Sequence, residues 1–228
     1  MDRRKLFVFD LDGTMFDSEL ISYQCWRDVS ARYGFHMGRD VFDLMLGRDN
    51  LRVRSTCENA FGPTYPYDKV CKEKIELQLE YYKTHDIPVK PGLSHILQYA
   101  RKEGIICAVA SSSPRKLIEY LLKKTDIDSF FTVVQSGEEA VHGKPEPDIF
   151  LMACDKAHIT PEEALVLEDS ESGILAAHAA GIPSVWIPDL VTILPENVQR
   201  LAWNCCQSLD EVPDLLEREY SKTHMHDQ

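Results

Sequence analysis

Two aspartates, Asp10 and Asp12, follow the first apolar run of the chain, Leu6–Phe9. That run is typical of a strand buried on both faces, and in an extended segment two residues spaced by two point the same way. Gly13 then allows a sharp turn, so we expect both carboxylates at the carboxyl end of a strand, where open α/β sheets bind ligands. Carboxylates this close repel, which favours a site that uses a divalent cation or phosphate chemistry over a solvated D-x-D-G turn.

A second acidic pair, Glu168 and Asp169, follows the apolar run 164–167. Carboxylate oxygens from two strand ends would give Mg²⁺ the ligands that it prefers. Acidic residues are also common near helix N-termini, where they favour the helix dipole, so this pair alone does not indicate a metal site. Together with Asp10 and Asp12 it does.

Hydroxyl groups and one lysine complete the set of residues that could act on an anion. Ser111, Ser112 and Ser113 end another apolar run and precede Pro114, so hydroxyls and free main-chain N–H groups would meet at a helix N-terminus. We expect Ser113 to cap that helix, and Ser111 to face the same crevice as the first aspartate pair. Lys144 stands between a glycine and a proline, which suits a cation that neutralises phosphate better than a solvated surface charge.

Short apolar runs alternate with helical patterns along most of the chain. They occupy residues 105–110, 131–134, 164–167 and 184–187. This alternation predicts an α/β fold, a Rossmann-like doubly wound parallel sheet. Residues 17–87 break the rhythm, because they carry helical periodicity and aromatic side chains but no convincing buried strand. We therefore expect a catalytic core of residues 1–16 and 88–228, interrupted by an inserted all-helical cap domain of residues 17–87.

Composition narrows the possible partners. The chain has 228 residues and a formal net charge of −12, which disfavours non-specific binding to nucleic acids or anionic membranes. No apolar run approaches the length of a membrane span. Seven cysteines are scattered without a C-x-x-C pair, so a zinc ribbon or dithiol redox site is unsupported and a cytoplasmic location is the default expectation. A monomer is the default for the oligomeric state.

The order of these motifs resembles that of the haloacid dehalogenase-like hydrolase superfamily, and the resemblance covers nearly the whole chain. The motifs are Asp10-Leu11-Asp12-Gly13-Thr14, Ser111, Lys144-Pro145 and Glu168-Asp169. The insertion resembles the α-helical cap of that superfamily. Two further strings resemble its β-phosphoglucomutase-like and sugar-phosphate phosphatase branch: Phe16-Asp17-Ser18-Glu19 and Leu167-Glu168-Asp169-Ser170.

The resemblance implies a role for each matching residue. Asp10 would be the nucleophile that forms an aspartyl-phosphate, and Asp12 the acid and base for the leaving oxygen and the attacking water. Ser111, with its neighbour Ser112, and Lys144 would hold phosphoryl oxygens. Mg²⁺ would be the cofactor, and its implied ligands are Asp10, the Asp12 carbonyl, Asp169 and, directly or through water, Glu168. In the cap, the loop with Gly47 and Arg48 resembles a substrate loop.

These roles imply a phosphomonoester hydrolase for a small phosphorylated metabolite, a sugar phosphate or a similar organic phosphate. Dehalogenation is disfavoured, since a dehalogenase lacks the second aspartate. A phosphonatase would need a cap lysine, for which Lys69, Lys72 and Lys74 are available. A β-phosphoglucomutase-like mutase would carry a cap histidine where residues 20–23 have none. A non-catalytic phosphate-binding protein is a further alternative. Arg48 either grips a second anionic group of the substrate or pairs with Asp49 at the surface.

Overall fold

Six parallel strands form one sheet in the order β3-β2-β1-β4-β5-β6 in a computed structural model that describes residues 3–190 and 192–226. The strands are β1 (Leu6–Phe9), β2 (Ile106–Ser111), β3 (Phe131–Ser136), β4 (Ala164–Glu168), β5 (Ser184–Trp186) and β6 (Asn204–Cys205). The predicted α/β fold and its first five strands are confirmed, with ends that move by one or two residues. The two-residue strand β6 is not part of the alternation described above, because so short a segment has no apolar run of its own.

The side chains of β1 alternate between two cores. Phe7 and Phe9 belong to one buried cluster, while Leu6 and Val8 belong to a second one on the other face of the sheet. Since both faces are covered, every residue of the strand can be apolar. β1 pairs with β2 on one side and with β4 on the other, so the carboxyl ends of these three strands lie side by side.

Helices cover both faces of the sheet. The first cluster packs against α5 (Leu93–Glu103), α6 (Arg115–Lys124) and α10 (Glu211–His226), and the second against α7 (Asp148–Ala157) and α8 (Glu171–Ala179). A short helix, α9 (Glu196–Gln199), lies beside β5 in a smaller cluster. No helix within residues 3–190 and 192–226 is long and apolar enough to cross a membrane.

The insertion is helical throughout its described length. It contains α1 (Glu19–Arg32), α2 (Arg39–Phe42), α3 (Asn50–Phe61) and α4 (Tyr67–Thr84), which surround an aromatic cluster of their own. The chain leaves and re-enters the core at adjacent points, where the Asp17 amide donates to the Pro88 carbonyl at 2.9 Å. We propose to keep 17–87 as the cap and 1–16 with 88–228 as the core; residues 1, 2, 191, 227 and 228 of that division lie outside the described residues.

One face of the cap is shared with the core. Ile21 and Cys25 on α1 belong to the main core cluster, whereas Val29 on the same helix belongs to the cap cluster. The four-residue spacing of these side chains predicted a single apolar face, which it forms. The helix runs from one cluster into the other, so that face serves both.

Ile21→Ala should therefore destabilise the whole protein. The side chain is 8% exposed in the main core cluster, and truncating such a residue costs about 2–4 kcal/mol. Leu20→Ala is the matched control, because the adjacent Leu20 is 46% exposed and its loss should change stability by about 0.5 kcal/mol or less. Denaturant unfolding measures both. Similar losses in the two variants would contradict the docking of α1 on the core.

Candidate active site

The predicted site residues meet at the carboxyl edge of the sheet. Phe9 of β1 is in register with Val109 of β2 and Leu167 of β4, so the residues that follow these positions share one edge. A cavity of about 420 Å³ opens there between core and cap. Its lining includes seven of the predicted residues: Asp10, Asp12, Gly47, Arg48, Ser111, Ser112 and Asp169.

Lys144 lies beneath this cavity and is only 1% exposed. Its Nζ donates to Asp10 Oδ1 at 2.5 Å, to Glu168 Oε1 at 2.7 Å and to the Ala110 carbonyl at 3.2 Å, which uses all three ammonium protons. Burial alone would lower the pKa of Lys144, but the two carboxylates outweigh it and raise the pKa above its ordinary value. Lys144 is therefore a fixed positive charge beside Asp10.

Glu168 faces this lysine and not the cavity. Its second oxygen, Oε2, accepts hydrogen bonds from the Ser170 amide at 2.6 Å and the Ser170 hydroxyl at 2.9 Å. Both oxygens therefore have protein donors, and the side chain is 1% exposed. This arrangement suits a residue that orients Lys144. Of the two predicted ways in which Glu168 could bind Mg²⁺, directly or through water, contact through water would require no change in these hydrogen bonds.

Two serines hold the carboxylate of Asp12. Ser18, at the start of α1, donates to Oδ1, and Ser113 donates to Oδ2 at 2.6 Å. The prediction that Ser113 caps the helix after β2 is wrong: Pro114 is the N-cap residue of α6, and the Ser113 hydroxyl turns to the aspartate. At a helix cap the hydroxyl would accept from a main-chain N–H group, whereas here it donates to a carboxylate oxygen, and the helix begins one residue later than predicted.

Asp169 completes the acidic edge. Thr14 donates to its Oδ1 at 3.0 Å, and its carboxylate packs against Gly13, where a Cβ atom would lie 2.4 Å from Oδ2. Gly13 also has a φ of +82°, so glycine serves both the turn and this contact. Burial, together with the charges of Glu168 and Asp10, raises the pKa of Asp169 well above its ordinary value.

The chemistry of this edge fits a divalent cation. Burial raises the pKa of Asp10 to about 7, Lys144 opposes that shift, and Glu168 adds to it. The edge thus holds three buried carboxyl groups, Asp10, Glu168 and Asp169, and one buried lysine, which contacts the first two. A bound cation would offset the excess negative charge. The described residues contain no cluster of three or more His, Cys, Asp or Glu side chains arranged to hold a metal ion. The set implied above needs only two carboxylates, Asp10 and Asp169, with the main-chain carbonyl of Asp12.

The cap closes the cavity with a short loop between its second and third helices. The Gly47 carbonyl accepts a hydrogen bond from the Ser172 hydroxyl at 2.5 Å, which joins this loop to the core. Arg48 is exposed at the cavity wall, and the alternative that it pairs with Asp49 is wrong. Asp49 instead caps α3 and accepts from the main chain and the side chain of Arg52, because the helix start brings those donors to it.

Several cavity residues from the cap were not among the predicted site residues, and Glu19, Ser22 and Lys74 are three of them. Burial and the charge of Asp12 raise the pKa of Glu19 to about 8, while Lys74 opposes the shift. Glu19 lies in the string that carried the family resemblance, so its presence was visible in the sequence and its orientation was not. Of the three cap lysines considered for a phosphonatase, Lys74 is the one that lines the cavity; Lys69 and Lys72 do not.

Comparison with known proteins identifies the family of the chain. The family model for haloacid dehalogenase-like hydrolases matches residues 7–187. The chain belongs to this family. Among its relatives, a phosphorylated carbohydrates phosphatase of Thermotoga maritima is 28% identical over 189 residues, which are 78% of this chain and 82% of that protein.

Solved structures of other proteins share the fold. CbbY from Rhodobacter sphaeroides, in complex with phosphate, has a TM-score of 0.82 at 23% identity and covers 92% of this chain and 96% of its own. A β-phosphoglucomutase from Clostridium difficile has a TM-score of 0.83 at 19% identity over 97% of this chain and 99% of its own. At these identities the likeness concerns the fold alone.

Glu19→Gln should make stability less sensitive to pH. A carboxyl group whose pKa is raised on folding stabilises the protein below its unfolded pKa, and that contribution is lost as the pH rises through the folded pKa, here from about 4.5 to about 8. In metal-free buffer we expect the free energy of unfolding of the variant, relative to that of the parent protein, to rise by about 1 kcal/mol or more between pH 5 and pH 9. Denaturant unfolding across this range measures the gain.

The control for that series is Glu76→Gln, because Glu76 lies exposed on α4. Its difference from the parent protein should stay flat with pH. A flat difference for Glu19→Gln as well would contradict the unfavourable burial of the Glu19 charge.

Proposed function

We propose that the chain is a Mg²⁺-dependent phosphomonoester hydrolase that acts on a small phosphorylated metabolite through an aspartyl-phosphate. The observation that carries the proposal is the placement of Asp10 between the buried Lys144 ammonium and the open cavity. A carboxylate held beside a fixed cation is suited to attack a phosphorus atom whose oxygens the same cation attracts. Family membership and the phosphatase relative support this class of enzyme.

In this mechanism Asp10 attacks the phosphorus atom while the hydroxyls of Ser111 and Ser112 bind phosphoryl oxygens. Lys144 binds a phosphoryl oxygen with the proton that it donates to Asp10 before the attack. Asp12 protonates the leaving oxygen and then takes a proton from the water that hydrolyses the aspartyl-phosphate. A serine hydroxyl can donate or accept, so Ser18 and Ser113 can hold Asp12 in either protonation state.

Mg²⁺, held by Asp10, the Asp12 carbonyl and Asp169, would neutralise charge on the phosphoryl group and favour the ionised form of Asp10. Glu168 would support it through water while it orients Lys144. The donor set is entirely oxygen, which is the preference of this ion.

The substrate is a phosphorylated carbohydrate or a similar organic phosphate. The cavity is large enough for a phosphate and a compact organic group, and the cap supplies Arg48 and Lys74 along its wall as cations for a second polar or anionic group. The phosphorylated carbohydrates phosphatase of Thermotoga maritima supports this substrate class.

A phosphosugar mutase is the second candidate, and its support is the likeness to the β-phosphoglucomutase fold. Against it, Ser22 occupies the cap wall in the stretch where a mutase of this branch would carry histidine, and none of the described residues that line the cavity is a histidine. Release of inorganic phosphate, without transfer between sugar hydroxyls, distinguishes the hydrolase from the mutase.

Location and assembly remain predictions: a monomer in the cytoplasm that binds neither nucleic acid nor membrane. Gel filtration with light scattering would measure the oligomeric state.

Hydrolysis of para-nitrophenyl phosphate tests the proposal directly. We expect turnover with Mg²⁺, little turnover with excess EDTA, and recovery when Mg²⁺ but not Ca²⁺ is returned, since Ca²⁺ takes more ligands and a looser geometry. Asp10→Asn should reduce kcat by about a thousandfold or more, because it removes the nucleophile. Near-normal turnover by that variant, or full activity after chelation, would refute the mechanism. No turnover by the parent protein under any of these conditions would leave a non-catalytic phosphate-binding protein as the better interpretation.

Asp12→Asn should depend on the leaving group. Para-nitrophenolate leaves without a proton, whereas an alkoxide needs one, so kcat should fall about a hundredfold more for a sugar phosphate than for para-nitrophenyl phosphate. The comparison uses the two substrates at saturating concentration with the same enzyme preparation. Equal losses on both would remove the acid role from Asp12.

A further inference from the structure

Arg52 in the first turn of α3 reaches from the cap to the core loop that carries the buried lysine. Its Nη1 donates to the carbonyl of Lys144 at 3.2 Å and to that of Gly143 at 3.5 Å. The same nitrogen donates to Asp49 Oδ2 at 2.5 Å, and Nη2 lies 3.6 Å from Glu146 Oε1. One side chain of the cap thus contacts three positions of one core loop, 143, 144 and 146.

The contact is built at close range. Gly143 lies so near the cap that a Cβ atom on it would be 2.1 Å from the Cβ atom of Asp49. Asp49 also accepts a hydrogen bond from the Arg52 amide at 2.8 Å, which fixes the start of α3 beneath the guanidinium. Only a loop without a side chain at position 143 lets the cap approach this far, so the guanidinium meets main-chain carbonyls in place of side chains.

The loop that carries Lys144 must hold the two ends of this residue in different places. The Lys144 ammonium must stay within hydrogen-bond distance of Asp10 and Glu168, while the Lys144 carbonyl remains at the surface that faces the cap. A donor that binds this carbonyl restricts the main chain of the lysine itself. Arg52 is therefore connected, through one residue, to the group that faces the nucleophile.

We propose that Arg52 is a positioning residue that clamps the cap onto the loop of Lys144, so that cap closure and correct placement of the lysine occur together. The inference rests on the proposed hydrolase function for its kinetic consequence, but not for its structural one. Arg52 touches no reacting group, and it acts only when the cap is closed.

The clamp, formed by the hydrogen bonds from Arg52 to the carbonyls of Gly143 and Lys144, should be moderate in strength. The Arg52 side chain is 40% exposed and these hydrogen bonds are long, so they can form and break as the cap moves. The longer contact with Glu146, whose side chain is 51% exposed, should contribute little. We therefore expect Arg52→Ala to lower kcat/KM for para-nitrophenyl phosphate by about fivefold to tenfold, and to raise the inhibition constant of inorganic phosphate by a similar factor.

Two kinds of control separate a clamp from a surface charge. Arg27→Ala removes an arginine that pairs with Asp28 inside the cap, and Glu146→Gln removes only the ion pair, so both should stay within about twofold of the parent protein. Arg52→Lys keeps one donor and should restore part of the loss. Thermal unfolding of every variant establishes that it is folded.

Amide hydrogen exchange at Gly143, Lys144 and Glu146 and across residues 50–56 is the second measurement, and it does not depend on turnover. Exchange in both segments should be faster in Arg52→Ala than in the parent protein and in Arg27→Ala. Unchanged exchange would overturn the clamp, and faster exchange with kcat/KM and the phosphate inhibition constant within twofold would overturn its positioning role. If the parent protein hydrolysed no phosphate ester, the proposed function would fail, while exchange would still decide whether the clamp exists.

Discussion

A single buried ammonium organises this molecule. Lys144 has no contact with water that could compensate for the loss of a partner, so its three acceptors must be in place whenever the protein is folded. Those acceptors come from the ends of β1, β2 and β4, which are far apart in the chain. The register of the three central strands, the turn at Ser170 that orients Glu168 and the return of the loop at 143 all serve that requirement.

The same requirement leaves the edge of the sheet unbalanced in charge. Lys144 satisfies Asp10 and Glu168 only in part, and Asp169 and Glu19 add further carboxyl groups at short range. A fold selected for stability alone would replace such a cluster with apolar side chains of similar size. The cluster has a function if a cation and a phosphate ester bind there, because their charges would then compensate for the repulsion among the carboxyl groups.

The sequence predicted the position of the site residues that follow strands, but it did not predict the hydrogen bonds that depend on loops. Asp10, Asp12, Ser111 and Asp169 could be placed together because a parallel sheet aligns its strand ends whatever the loops do. The serines that hold Asp12 could not, since their hydrogen bonds span 6 and 101 residues and depend on how two loops turn. The partner of Asp49 stayed open for the same reason: the helix start that brings Arg52 to it is not visible in the spacing.

The adjacent crossings of the chain at Asp17 and Pro88 bear on how such proteins diversify. An insertion whose two ends meet can be lengthened or exchanged without stretching the sheet below it. Here, however, α1 and α4 contribute side chains to the main core cluster, so they cannot be exchanged without uncovering it. The distal part between them, residues 33–66, contributes nothing to that cluster and carries the loop that walls the cavity. Recombination among relatives could therefore exchange this substrate-facing segment while α1 and α4 are retained, and the carboxyl edge of the sheet would stay unchanged.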